Sequence, residues 1–198
     1  MGESDTHDGL RATELREYVQ KDLRSSFEAT IDQQVDRYLE LDHQFITGGH
    51  YFAAASNECT DLYVRGYFIS AVMMSHAVNE AILKFVAGRN EIKCEGRKEK
   101  LIDLLASRCI VTSECAQAAR RIWGSYRNDV HHMNPQVASV DFKAIAKRNL
   151  QDLATIGGEI FGVDIVDRGL RPHQPKYWDV REDGMVTAFL TGKLIRPA

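Results

Sequence analysis

The chain has 198 residues, 44% of them hydrophobic, with 4 Pro and 14 Gly. That is enough for a core of ordinary size without staples, and too few breakers for a disordered or fibrous protein. A formal net charge of −3 is the wrong sign for a protein that coats nucleic acid and leaves room only for a local basic patch.

The N-terminus, Met-Gly-Glu-Ser-Asp-Thr-His-Asp, has neither the basic nor the apolar region of a signal peptide, so a cytoplasmic protein is expected. Cys59, Cys94, Cys109 and Cys115 form no CxxC pair; reduced thiols are expected rather than a zinc site or a disulfide framework. Gly9 to about Ser25 reads as a charged, weakly amphipathic peripheral helix. Phe27, Ile31, Val35, Tyr38, Leu39 and Leu41 recur at helical spacing and predict a second helix, stopped by Thr47-Gly48-Gly49. His50 to Val64 predicts another, with Tyr51, Phe52, Ala55, Leu62 and Tyr63 inward, and Gly66 marks a break or a close helix contact. Tyr67 to Val86 is apolar nearly all round, which predicts a central, buried helix with Gly88 as its cap. Its His76, Asn79, Glu80 and Lys84 make it a poor membrane span.

Lys98 to Ala106 predicts a short helix. Thr112 or Ser113 caps the next, which runs through Ile122, Trp123 and Tyr126 to about Met133, because Pro135 drives Asn134 out of the helical region. Ser139 caps the last long helix, with Phe142, Ile145, Leu150, Leu153, Ile156 and Ile160 inward. Beyond Gly162, Lys176 to Val180 and Met185 to Leu190 flank a Glu182-Asp183-Gly184 turn and predict a hairpin. The expected fold is all-α: an up-and-down helical bundle over 27–162, a peripheral helix over 1–26, and a C-terminal β-hairpin extension over 163–198.

Two features carry chemistry. On the central helix His76, Glu80 and Lys84 recur every four residues, with Asn79 beside them. Such a stripe faces water, a partner or a site; a solvated stripe with a Glu80–Lys84 pair is the plainer alternative. The second feature is Arg127-Asn128-Asp129-Val130-His131-His132. Arg127 and His131 share one helix face, Asn128 and His132 the next. Both histidines fall in the last turn, where the helix dipole favours imidazolium. Arginine offers a permanent charge and a fork of donors for phosphate oxygens, and histidine exchanges protons near neutral pH. Arg120, Arg121 and Arg127 are the candidates for a local positive patch. The Arg97-Lys98-Glu99-Lys100 run reads as a solvated face.

The order Arg-Asn-x-x-x-His near the end of a late helix resembles the signature motif of HEPN domains, with Arg127, Asn128 and His132 on its three defined positions. The helix pair before it, Asp61 to Val72 and Ala77 to Lys84, also resembles such domains, and the likeness spans roughly His50 to Gly162. The resemblance implies a metal-independent endoribonuclease with no cofactor. It implies a homodimer in which two Arg–His motifs meet in a composite site. Arg127, Asn128 and His132 would be catalytic there, with Glu80, Lys84, His76, His131 and Asp129 in support. RNA would be the substrate. A prokaryotic defence system or a toxin–antitoxin pair would be the setting, with a protein antitoxin or nucleotidyltransferase as partner. Family toxins paired with a nucleotidyltransferase often carry tyrosine two residues beyond the motif histidine; here that residue is Asn134.

Two other readings compete. One is a non-catalytic HEPN module that binds a nucleotide or a partner. The other is a di-metal carboxylate bundle, since Glu40-Leu41-Asp42-His43 and Asp129-Val130-His131-His132 have Glu-x-x-His and Asp-x-x-His spacing.

Overall fold

The computed structural model describes residues 4–41, 46–48, 50–93, 98–166, 169–179, 186 and 188–190. The chain divides into two compact units, Met1–Glu40 and Leu41–Ala198.

The first unit is a single helix, α1 (Ser4–Leu39), where two were expected. No glycine or proline lies between Ser25 and Phe27 to break it. Thr30 Oγ1 instead donates back to the Ser26 carbonyl at 3.0 Å and accepts from Gln34 Nε2 at 2.9 Å, so polar side chains run on along the helix. Phe27, Ile31, Val35 and Leu39, expected inward, are exposed.

The second unit holds β1 (Ile46–Gly48), α2 (Ala53–Val64), α3 (Phe68–Arg89), α4 (Lys98–Ser107), α5 (Ser113–Trp123), α6 (Arg127–His131), α7 (Phe142–Phe161), β2 (Val163–Val166), β3 (Gly169–Pro172) and β4 (Ala188–Leu190). Helix α3 is central, packed against α2, α4, α5, α6 and α7. It is long and apolar enough to cross a membrane by length and composition, yet half of its most apolar window is buried inside the protein. The core joins Val72, Val78 and Val86 of α3 to Tyr63 of α2, Leu105 of α4, Ile122 of α5 and Ile156 of α7. Tyr51, expected inward, is exposed, whereas Phe52 beside it is buried.

The helix ends explain most local differences from expectation. Gly66, at φ 89°, turns the chain between α2 and α3, with Tyr67 N–H on the Leu62 carbonyl at 2.8 Å. The same left-handed closure ends α3 at Glu91, α4 at Cys109 and α6 at Met133, none of them glycine. Gly88, expected as a cap, therefore lies inside α3. Thr112 caps α5 as expected, its Oγ1 accepting from the Cys115 N–H at 3.2 Å. Asp141 rather than Ser139 caps α7, because Pro135–Ser139 forms a separate 3-10 turn.

An antiparallel hairpin is present in the C-terminal extension, but it is β2–β3, with Val163 opposite Pro172 and Val166 opposite Gly169. Pro175–Tyr177 is a 3-10 turn, and β4 pairs with β1, Ile46 opposite Leu190. The alternation in Met185–Leu190 was a true strand signal with a non-local partner; the expected turn at 182–184 lies outside the described residues. Tyr177 and Trp178 are buried. They are tied to the bundle by His50 Nε2 on the Tyr177 carbonyl at 2.9 Å and by Asn90 Nδ2 donating to the Tyr177 hydroxyl at 2.9 Å.

Candidate active site

The expected single helix through Trp123 and Tyr126 to Met133 is two helices. Helix α5 stops at Trp123, Gly124 caps it, and Tyr126 takes a left-handed conformation at φ 44° before α6 begins at Arg127. The physical cause is a buried polar network assembled from residues distant in sequence. Ser125 is buried, and its hydroxyl donates to the Ile122 carbonyl at 2.7 Å, competing with continuation of the helix. Asn149 of α7 donates to Ser125 Oγ at 2.8 Å and to Ser75 Oγ at 2.9 Å. His76 Nε2 lies 2.8 Å from the Ser125 carbonyl, which can only accept, so that nitrogen carries the proton. Three helices thus hold one backbone step, and that step sets where α6 starts.

The polar stripe of α3 separates into three roles. His76 is buried and braces the break before α6. Asn79, also buried, donates to the Ala119 carbonyl at 3.1 Å. Glu80 is partly buried and sits between two cations: Lys84 Nζ at 2.8 Å and Arg127 Nη1 at 3.9 Å. The hydrogen bond and charge of Glu80 hold the exposed Lys84 ammonium above its usual range. The plainer Glu80–Lys84 pair is therefore present, and the same carboxylate also meets the motif arginine.

Arg127 starts α6, with its guanidinium 5.7 Å from the Trp123 ring centroid and half exposed. The ring fixes the stem and the carboxylate fixes the charge, leaving donors directed at solvent. Asn128, His131 and His132 are exposed. The two imidazoles pack edge to face at 5.1 Å. His132 is the C-terminal cap of α6, where unpaired carbonyls favour a cation. Asp129 accepts from Asn134 Nδ2 at 2.9 Å and Gln136 Nε2 at 2.5 Å, so it holds the turn after α6. Asn134 N–H reaches the Asp129 carbonyl at 2.9 Å, which closes the helix end.

The structure thus brings Glu80, Lys84, Trp123 and Arg127 together. Among the described residues no hydrogen bond or ion pair joins the side chain of His131 or His132 to Arg127. The expected patch of Arg120, Arg121 and Arg127 is not a set of free cations. Arg120 pairs with Asp103 at 2.6 Å, and Arg121 forms a fork on the buried Asp152, Nη2 to Oδ1 at 2.5 Å. That bond keeps the Arg121 guanidinium above its usual range. Of the Arg97–Lys100 run, Lys100 is exposed and the other side chains lie outside the described residues. So do Asp42 and His43; among the described residues no three His, Cys, Asp or Glu side chains converge as a metal set.

Ser75, Ser125 and Asn149 escaped sequence reasoning. One signal was present: Asn149 sits three residues after Ala146 and four before Leu153, on the apolar face of α7. A polar residue in that position needs a buried partner.

Fold and site define an all-α bundle with short antiparallel strands and an exposed Arg–His helix buttressed from its core. No family model, no curated protein and no solved structure matches the chain.

Proposed function

We propose that this protein is a metal-independent endoribonuclease of the HEPN type, working as a homodimer. The observation that carries the reading is the ion pair across the fold: Glu80 of α3 lies 3.9 Å from Arg127, at the head of a helix whose other end exposes His132. A core helix thereby fixes an arginine without covering it. Arg127 would hold the scissile phosphate and stabilise charge on its oxygens as the adjacent 2′-hydroxyl attacks. His132 would exchange the proton, and Asn128, one turn earlier, would orient the imidazole or donate to the phosphate. The products would be a 2′,3′-cyclic phosphate and a 5′-hydroxyl, and DNA would resist for want of the nucleophile. With no hydrogen bond between the His132 and Arg127 side chains of one chain among the described residues, a second copy is the natural source of the complementary half-site. A defence or toxin–antitoxin setting, with a protein antitoxin or nucleotidyltransferase as partner, goes with this reading.

The test is cleavage of mixed RNA in EDTA. Activity should persist, end in cyclic phosphate, and vanish in Arg127→Ala and His132→Ala proteins that remain folded. Activity lost to EDTA and restored by manganese or magnesium would favour the di-metal bundle instead. The second reading is a partner-binding module, favoured by the acidic partners already held by Arg120, Arg121 and Arg127. Absence of cleavage under all conditions, with metal and without, would select it.

A further inference from the structure

Helix α1 carries an apolar row that is exposed along the helix. Leu15, Val19, Leu23, Phe27, Ile31, Val35 and Leu39 recur at every fourth position, each exposed. A strict four-residue spacing advances by about 40° per step around an α-helix, so the row winds as a ridge and does not form a straight stripe. This explains why the helix looks only weakly amphipathic at the ordinary period. Ridges of this kind interdigitate with their own kind in the commonest helix crossing, inclined at about −50°. A helix of 36 residues with polar flanks has little reason to persist alone in water, because most helical stability in proteins comes from burying an apolar face.

The row next to it names the occupant. The residue following each ridge residue is Arg16, Gln20 and Arg24 in the first half, and Glu28, Asp32, Asp36 and Glu40 in the second. One flank thus changes sign at Phe27. When two copies cross antiparallel with the level of Ser26 at the centre, the Phe27 ridges interleave and each row meets the same row of the other copy, end for end. Beside the crossing Arg24 then opposes Glu28 of the second copy. A parallel crossing would set the acidic half against Ser26, Thr30 and Gln34, which supply no cation.

We infer that α1 is a self-association surface, pairing antiparallel with α1 of a second copy of this chain through the Phe27-centred ridge. Apolar burial near Leu23, Phe27 and Ile31 holds the pair, and the sign change of the flanking row fixes its direction. This surface is separate from the Arg127–His132 motif and does not depend on any ribonuclease activity.

The test is sedimentation equilibrium of the full-length chain at low and high salt. Phe27→Asp should remove one association step, since it places two carboxylates at the centre of the crossing. Arg24→Glu and Glu28→Arg should each weaken that step by about tenfold at low salt, and less at high salt. The double variant Arg24→Glu/Glu28→Arg should restore it, which a general loss of helix would not do. Arg127→Ala should leave this step unchanged, separating it from any motif-centred dimer. The inference is overturned if Phe27→Asp leaves the mass distribution unchanged. It is overturned equally if the double variant is no better than the single ones, or if ridge variants lower the melting temperature of a chain that is monomeric throughout.

Discussion

The imidazole Nε2 of His76 lies 2.8 Å from the backbone carbonyl of Ser125, 49 residues away in sequence. This contact belongs to the buried network at the break between α5 and α6, two residues before Arg127. With Asn149 on the Ser125 hydroxyl, it makes His76 a positioning residue rather than a member of the reactive set.

Removing either anchor should cost stability. His76→Leu leaves the Ser125 carbonyl buried without its donor, and Asn149→Ala strips two serine hydroxyls of theirs. Each should destabilise the chain by about 2 kcal/mol. Thermal unfolding should show a fall of roughly 4–8 °C in Tm for each. His76→Leu should also displace the amide resonances of α6, which a purely local loss would leave in place.

Glycine at the left-handed helix ends should do the opposite. Met133, at φ 48°, occupies the position that Gly66 fills after α2. Met133→Gly should stabilise by about 1 kcal/mol and raise Tm by roughly 2–4 °C. A fall in Tm would show that the exposed Met133 side chain contributes more than its backbone strain costs.

The two imidazoles of α6 should differ in cleavage. His131 shares a face with Arg127, whereas His132 holds the helix cap and the motif position. His132→Ala should lower RNA cleavage by at least about a hundredfold, and His131→Ala by much less. Equal losses in two folded proteins would remove the distinction; the reverse order would assign proton transfer to His131.

Glu80 should matter more than Lys84. Glu80→Gln removes the charge that holds Arg127, and cleavage should drop by about tenfold or more. Lys84→Ala, at an exposed position, should leave the rate nearly unchanged. In the Glu80→Gln protein the Lys84 ammonium should titrate nearer its ordinary value of 10.5, measurable by NMR, because its hydrogen-bonding carboxylate is gone.

The thiols should sort by burial. Desolvation pushes Cys59 from 9.0 up to about 12, and desolvation followed by the charge of Glu159 does the same to Cys115. Alkylation followed by peptide mass analysis should therefore find Cys109, which is exposed, modified quickly, and Cys59 and Cys115 only after unfolding. The unfolded chain sheds these two protons near 9.0 while the folded chain keeps them to about 12. Their stabilising effect is whole below the lower value and is lost as pH rises through that window. Denaturant midpoints should decline over the same range, and replacing both thiols by alanine should flatten the decline.

Local chemistry made much of this molecule legible in its sequence. Thr112 announces α5, Gly66 separates α2 from α3, and Pro135 turns Asn134, at ψ 141°, away from the helix. The apolar run from Tyr67, broken only by a narrow polar stripe, places α3 at the centre, because a helix apolar nearly all round has nowhere else to go. The motif residues were equally readable as an Arg–His set at a helix end, since spacing alone puts them on neighbouring faces.

Tertiary structure decided what depends on partners distant in sequence. Whether His76 faced water or the core was open until the break after α5 supplied Ser125 and α7 supplied Asn149. The stop at Trp123 has the same origin, because a serine hydroxyl and a glycine merely permit a break that the buried network then requires. Strand β4 alternates in its own sequence, yet its partner is β1, more than a hundred residues earlier. Sequence fixes which backbone groups must be paired; only packing chooses the pairs, because burial penalises every polar group that arrives without one.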